Sequence, residues 1–220
     1  MTARAKRAER RADGLSKERI VEAAIDILNS EGESALTFRA LAAHLATGSG
    51  AIYWHVANKN ELLAATANAV IARVMTDVVG DAEPREAIRA IAVGVFDAID
   101  AHPWVGAQLS SEPWQTAILQ IFEGIGGQLQ ALGVPERAQF DSASVLVSYV
   151  LGLAGQYAAG ARLLPPETER SDFLATVAAQ VDPAEYPFVH QVATQLREHD
   201  DREQFLAGID LILAGIKTVR

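Results

Sequence analysis

The chain has 220 residues, half of them apolar, with few aromatics, no cysteine and a formal net charge of −9 at pH 7. That length can carry a full core as one large or two small domains, and the lack of cysteine excludes a disulfide framework and any thiolate metal site. The charge is uneven: residues 1–63 hold nine Lys and Arg against eight Asp and Glu, and the remainder holds ten against twenty. An acidic body of this kind repels a duplex except where its N-terminal end approaches.

Residues 1–14 read as a flexible basic arm, with Arg4, Lys6, Arg7, Arg10 and Arg11 crowded together. The arm is either a solvated tail or a strand that follows phosphates or dips into a minor groove. It has no apolar core and so is not a secretory signal, which makes a cytoplasmic location the expectation. A first helix is expected after Ser16, ending at Glu31-Gly32, with Ile20, Ala23, Ala24, Ile27 and Leu28 on one face. Lys17 and Arg19 fall in its first turn, where the helix dipole disfavours cations. They are either plain surface charge or phosphate contacts.

The stretch from Leu36 to Leu63 organises the rest. Thr37 can cap a short helix carrying Leu41, Ala42 and Leu45 on one side. Gly48 is the expected left-handed stop. Ser49 is expected to cap a second helix running to about His55, and Asn58-x-x-Glu61 has capping-box spacing for the next. Two short helices joined by a tight Gly-containing turn make a helix-turn-helix, here about residues 37–56, whose second helix enters the DNA major groove. Arg39 is the candidate for bidentate readout of guanine, and Ala51 can offer a methyl to thymine. Thr37 and Ser49 supply hydroxyls, and Gly50 lets the backbone approach closely. Lys59, at the first turn of the following helix, can hold a phosphate together with the backbone N–H groups. Trp54 is expected to pack inward.

Further helices are expected over about residues 59–79, from Pro84 to about Ala101, briefly over 105–111, and from Pro113 to Leu132-Gly133. Glycines 124, 126 and 127 within the last of these suggest close packing, a kink or room for a ligand. Residues 142–161 are apolar all round, which marks a buried helix. Ser148 and Gln156 interrupt the run that a membrane span would need, so no membrane is expected. Helices over about 171–180, 185–198 and 202–218 complete the chain. The helix near 142–161 and the last one carry more apolar surface than one copy can cover, and pairing with their twofold copies in a homodimer follows. Phe96, His102, Trp104, Gln108, Trp114, Ile118, Phe122, Tyr149 and Gln156 bring polar tips into apolar surroundings. They are either plain core or the wall of a pocket for an apolar or aromatic small-molecule effector.

The segment Ala51-Ile52-Tyr53-Trp54-His55-Val56-Ala57-Asn58-Lys59-Asn60-Glu61-Leu62-Leu63 resembles the signature of the tetracycline-repressor (TetR) family of bacterial transcription regulators. The resemblance runs from about Leu15 to Val70. It returns more weakly at Tyr186-Pro187 and over Phe205–Ile216, which look like the C-terminal domain of the tetracycline repressor's own branch. It implies an all-α fold, with a three-helix DNA-binding unit over 15–62 and a helical ligand-binding and dimerisation domain over 63–220. It also implies phosphate contacts by Tyr53 and His55, a base contact from the position of Arg39, and a repressor released from a double-stranded DNA operator by an inducer. The tetracycline repressor holds a drug–magnesium complex through a histidine and a threonine shortly before a proline. Aligned on Pro113, those positions are Gln108 and Ser111, so no metal and no cofactor are expected. An enzyme is not expected, because there is no HExxH, no Glu-x-x-His pair and no GxxxxGK[ST], and the five histidines are scattered. Gly48-Ser49-Gly50 imitates part of a dinucleotide fingerprint but follows no strand. The alternative is a helical small-molecule-binding dimer without DNA activity.

Overall fold

The structure is a computed structural model describing residues 15–78, 82–111, 115–163, 170–198 and 200–217. All regular secondary structure among them is helical. The chain divides into two compact units, the first ending at Val70 and the second starting at Ile71, so the division falls inside a helix.

In the first unit α1 spans Lys17–Glu31. The Ser16 hydroxyl accepts from the Arg19 N–H at 3.3 Å, and Gly32, at φ 80°, ends the helix with its N–H on Leu28 O. The expected face of Ile20, Ala23, Ala24, Ile27 and Leu28 is buried. Thr37 caps α2 (Phe38–His44) by accepting from Ala40 N–H at 3.1 Å. Next comes α3 (Ser49–Tyr53), and α4 (Lys59–Asp77) leads into the second unit.

The turn between α2 and α3 differs from the expectation in two respects. Gly48 is extended, at φ −87° and ψ 141°, and serves as the N-cap of α3, so Ser49 is the first helical residue and makes no capping bond. The left-handed residue is Ala46, at φ 48°. The N–H of Thr47 bonds Ala42 O at 2.9 Å and the N–H of Ala46 bonds Ala43 O at 3.2 Å. This is a Schellman pairing built on alanine where glycine is usual. A Cβ in that region costs about 1–2 kcal/mol. Ala46→Gly is therefore expected to raise stability by roughly 0.5–1 kcal/mol once the entropy of a freer unfolded chain is deducted. A lower midpoint in urea denaturation would contradict this.

The second unit contains α5 (Pro84–Ala101), α6 (Pro103–Ser111), α7 (Thr116–Ala131), α8 (Glu136–Leu163), α9 (Arg170–Gln180), α10 (Pro187–Gln191), α11 (Ala193–Arg197) and α12 (Asp201–Ile216). Pro84 starts α5, whose Ile88, Ile91, Ala92, Val95, Phe96 and Ile99 are buried. The expected start of α7 at Pro113 lies outside the described residues. The single helix expected over 185–198 is two, because Val192, at φ −96° and ψ 8°, leaves helical geometry for one residue.

α8 is central, with α5, α6, α7 and α12 all packed on it. By length and composition it is apolar enough to cross a membrane, in spite of Ser148 and Gln156. Four flanking helices give its side chains another apolar partner. The sixteen residues of α12 bury Phe205, Ile209 and Leu213, one turn apart. Close approaches need glycine at several points, Gly124 and Gly208 among them. A Cβ on Gly124 would run into the Met75 methyl, and one on Gly208 into the Tyr149 ring, whereas Gly126 and Gly127 face open space. Ion pairs tie α12 to α5: Arg89 and Arg85 meet the Asp210 carboxylate, and Arg202 meets Asp97 at 3.1 Å. The Arg89 guanidinium, hydrogen-bonded to Asp210, holds that carboxyl below the usual range.

Candidate nucleic-acid interface

α3 is only five residues long and is anchored by one side chain. Ile52 is fully buried, which stabilises the docking of α3 by about 1.5–3 kcal/mol. That single anchor turns the other residues out: Ser49, Gly50, Ala51 and Tyr53 are exposed and His55 is half-buried. A rod this short, with small residues at its N-terminal end, can enter a major groove without a steric barrier.

Tyr53 is held in place rather than free. Its ring stacks on Phe38, the first residue of α2, with centroids 4.4 Å apart and planes parallel to within 1°. Phe38 thus orients the Tyr53 hydroxyl, a role the sequence reading missed. The only available signal was an aromatic residue in a solvent-facing first turn. Trp54 corrects another expectation. It does not pack inward on α1 or α4 but is 90% exposed. As the C-cap of α3 it follows the last helical residue, and Ile52 already fills the inward position.

Of the α2 candidates, Thr37 is exposed, and its oxygen accepts the capping bond with its O–H left to donate outward. Arg39 is exposed and has no protein hydrogen-bond or ion-pair partner among the described residues. Its planar fork of five donors is therefore available to a base or a phosphate.

The lysines are placed differently. Lys59 donates to the Glu33 carbonyl at 2.7 Å, and its Nζ lies 3.8 Å from the Glu33 carboxylate. Lys17 lies 3.5 Å from Glu61. Asn58 Oδ1 accepts from Glu61 N–H at 2.9 Å, and Glu61 Oε2 accepts from Ala57 N–H at 2.8 Å. The reciprocal arm of the capping box therefore lands one residue before Asn58. The Ala57 N–H, aided by Lys17, lowers the Glu61 carboxyl below its usual value. Residues 15–70 hold four Lys and Arg against six Asp and Glu, so this unit is not electropositive without its arm.

The residues expected around an effector fall in several separate places. Phe96 packs on Phe205 and edge-on to Tyr157, with centroids 4.7 and 5.8 Å away. Tyr149 stacks on Phe205, and its hydroxyl donates to Phe205 O at 3.2 Å. Burial raises the Tyr149 phenol above its usual value. Phe122 faces Phe140 at 6.1 Å. His102 and Trp104 are neighbours at 6.0 Å at the α5–α6 junction, and burial, helped by the charge of Arg73, lowers the His102 imidazole below its usual value. Gln108 accepts from Gln115 through its backbone carbonyl. Ile118 is half-buried, and Trp114 lies outside the described residues.

Gln156 is exposed, and it alone of the set lines an open cleft of about 370 Å³ between α6 and α8. Pro103, Gly106, Ala107 and Ser110 form one wall, and Leu151, Gly152, Gly155 and Gln156 the other. The sequence reading missed this cleft because its walls are mostly small residues. Among the aromatics with polar tips, the Tyr149 hydroxyl is bonded to α12.

Comparison with known proteins matches residues 20–66 to the domain described as bacterial regulatory proteins, tetR family. Residues 80–220 match the tetracyclin repressor-like C-terminal domain. Among curated proteins, an HTH-type transcriptional regulator of Saccharopolyspora erythraea is 28% identical over 139 residues, covering 63% of this chain and 59% of that one. The chain thus spans less than two thirds of that relative. The HTH-type transcriptional repressor DrrR1 of Streptomyces coeruleorubidus is 28% identical over 220 residues, covering 93% of this chain and 78% of the relative. Among solved structures, SCO7222, a TetR from Streptomyces coelicolor, is 50% identical, with a TM-score of 0.83, over 92% of this chain and 98% of that one.

Proposed function

The chain belongs to the TetR family of DNA-binding transcriptional regulators, and on that premise we propose that it is a homodimeric repressor of a palindromic operator, released when a small organic molecule occupies its larger unit. The observation that carries the DNA side is the outward face of α3, with Ser49, Gly50, Ala51 and the clamped Tyr53 exposed around one buried anchor. In this reading Arg39 reads a base, Thr37 and Ser49 bond phosphate or a base edge, and Ala51 meets a thymine methyl. Tyr53, His55 and Lys59 take phosphates. Repression then follows from steric exclusion of polymerase at the operator, in the cytoplasm.

Pairing of two copies is supported by the apolar surface left on α8 and α12. On α8 the exposed Val145 and Ser148 share a face outside the cleft, and on α12 Leu211 is 75% exposed beside Ala207 and Ala214. Self-association of these faces would bury them in a four-helix bundle and set two groove-facing helices at a fixed separation. The effector is placed in the α6–α8 cleft, as an apolar or aromatic molecule with polar groups directed at Gln156 and Ser110. No metal has a part in this.

Selection of bound fragments from random genomic DNA, followed by a screen of small organic molecules for release, tests the whole reading. A two-half-site consensus and one releasing compound are expected. Failure to retain any duplex at low salt would remove the DNA role. A monomer mass at micromolar concentration in the ultracentrifuge would remove the dimer.

A further inference from the structure

Of the two lysines among the described residues of the first unit, one is held by a carboxylate that has no other hydrogen-bond or ion-pair partner among those residues. Lys59 donates to the backbone carbonyl of Glu33 at 2.7 Å, and the Glu33 carboxylate stands 3.8 Å from the same ammonium. Glu33 lies in the α1–α2 loop, caps no helix and is 57% exposed at its side chain, while Lys59 opens α4 and is 37% exposed. Glu61, by contrast, also accepts the Ala57 N–H, so its hold on Lys17 is bound up with the structure of the α4 start. The carbonyl gives Lys59 its direction, and the carboxylate supplies the opposing charge.

We infer that Glu33 is a specificity-determining residue that acts through Lys59, as a built-in competitor of phosphate. The inference rests on the proposed phosphate role of Lys59 and adds the regulation of that contact. On random-sequence DNA the gain from one lysine–phosphate contact is small, and the ammonium stays with Glu33. On the operator, base contacts hold the duplex in register, and a phosphate positioned beside α4 draws the ammonium away. The carboxylate therefore weakens nonspecific binding more than specific binding. The budget of charge makes this matter, since residues 15–70 already carry two more acidic than basic side chains. Because the pair is exposed and screened, its effect is modest, on the order of a few-fold.

The test is Glu33→Gln, which removes the charge and keeps the loop and the carbonyl. Binding of a scrambled 30-base-pair duplex and of the selected operator is measured as a function of salt, in the wild-type background and in Lys59→Met. Affinity for the scrambled duplex is expected to rise about three- to fivefold, and its salt slope to steepen by up to about 0.9, the value of one more phosphate neutralised. The operator should gain less, so the specificity ratio falls. In Lys59→Met the substitution should have no effect. An unchanged scrambled-duplex affinity and slope would overturn the inference, as would an equal gain in the Lys59→Met background, which would make Glu33 a general repulsive charge. A loop staple with only a structural role would move the melting temperature and leave the slope alone. A wild-type protein that retains no DNA at all would instead defeat the DNA reading itself, so the two failures are separable.

Discussion

Replacing Arg39 by alanine is expected to weaken operator binding by about 1–3 kcal/mol, or roughly five- to 150-fold, with the loss concentrated at one base position in each half-site. The position of Arg39 in the fold supports a local reading of this kind. It is the second residue of α2, exposed, and uncommitted to any protein group among the described residues. A cation in a helix's first turn opposes the dipole, at a cost of about 0.3–1 kcal/mol. Stability therefore gives no reason for an arginine there. Arg39→Ala should leave the melting temperature unchanged or slightly higher while affinity falls. Binding measured across a set of operators, each with a single base pair changed, separates the possibilities. A loss that is uniform over unrelated sequences would make Arg39 a backbone contact.

Phe205→Ala is expected to cost about 3–5 kcal/mol of stability, a large share of the total for a domain of this size. Phe205 is 0% exposed and joins three elements: it stacks under Tyr149 of α8, leans on Phe96 of α5, and belongs to α12. Its own backbone carbonyl also accepts the Tyr149 hydroxyl, and the Tyr157 hydroxyl bonds Gln204 Oε1 at 2.5 Å. A hole at this point removes the ring against which Tyr149 and Phe96 pack. With Gly208 already leaving no room beneath Tyr149, the ring has little freedom to collapse into the gap. Urea denaturation reads the cost directly, and a loss under about 1 kcal/mol would show that α12 is held by its ion pairs to α5 instead. In a dimer built on α8 and α12, the same variant should also lower the association constant, because one of the two pairing helices loses its seat.

Much of the fold was legible because helices are local. The bounds of α1 follow from Ser16 and Gly32, the start of α2 from Thr37, and the inward faces of α1 and α5 from apolar residues three and four apart. Each of these signals lies within one or two turns, where cap bonds and periodicity act. The helix-turn-helix was legible for the same reason, and the exposure of Ser49 to Ala51 follows once Ile52 is the anchor.

Other features were settled only when distant residues met. Nothing near Lys59 in the chain shows that it will find Glu33, twenty-six residues earlier. The aromatics of the second unit looked like one pocket, but Tyr149 and Phe96 turn to α12, fifty-six and more residues further on, leaving a cleft walled by glycine and alanine. Sequence by itself determined which segments are helical and which face of each is apolar, since those depend on neighbours within about four residues. Tertiary structure decided what each polar tip and each charge is bonded to, since that depends on which helices come to lie side by side.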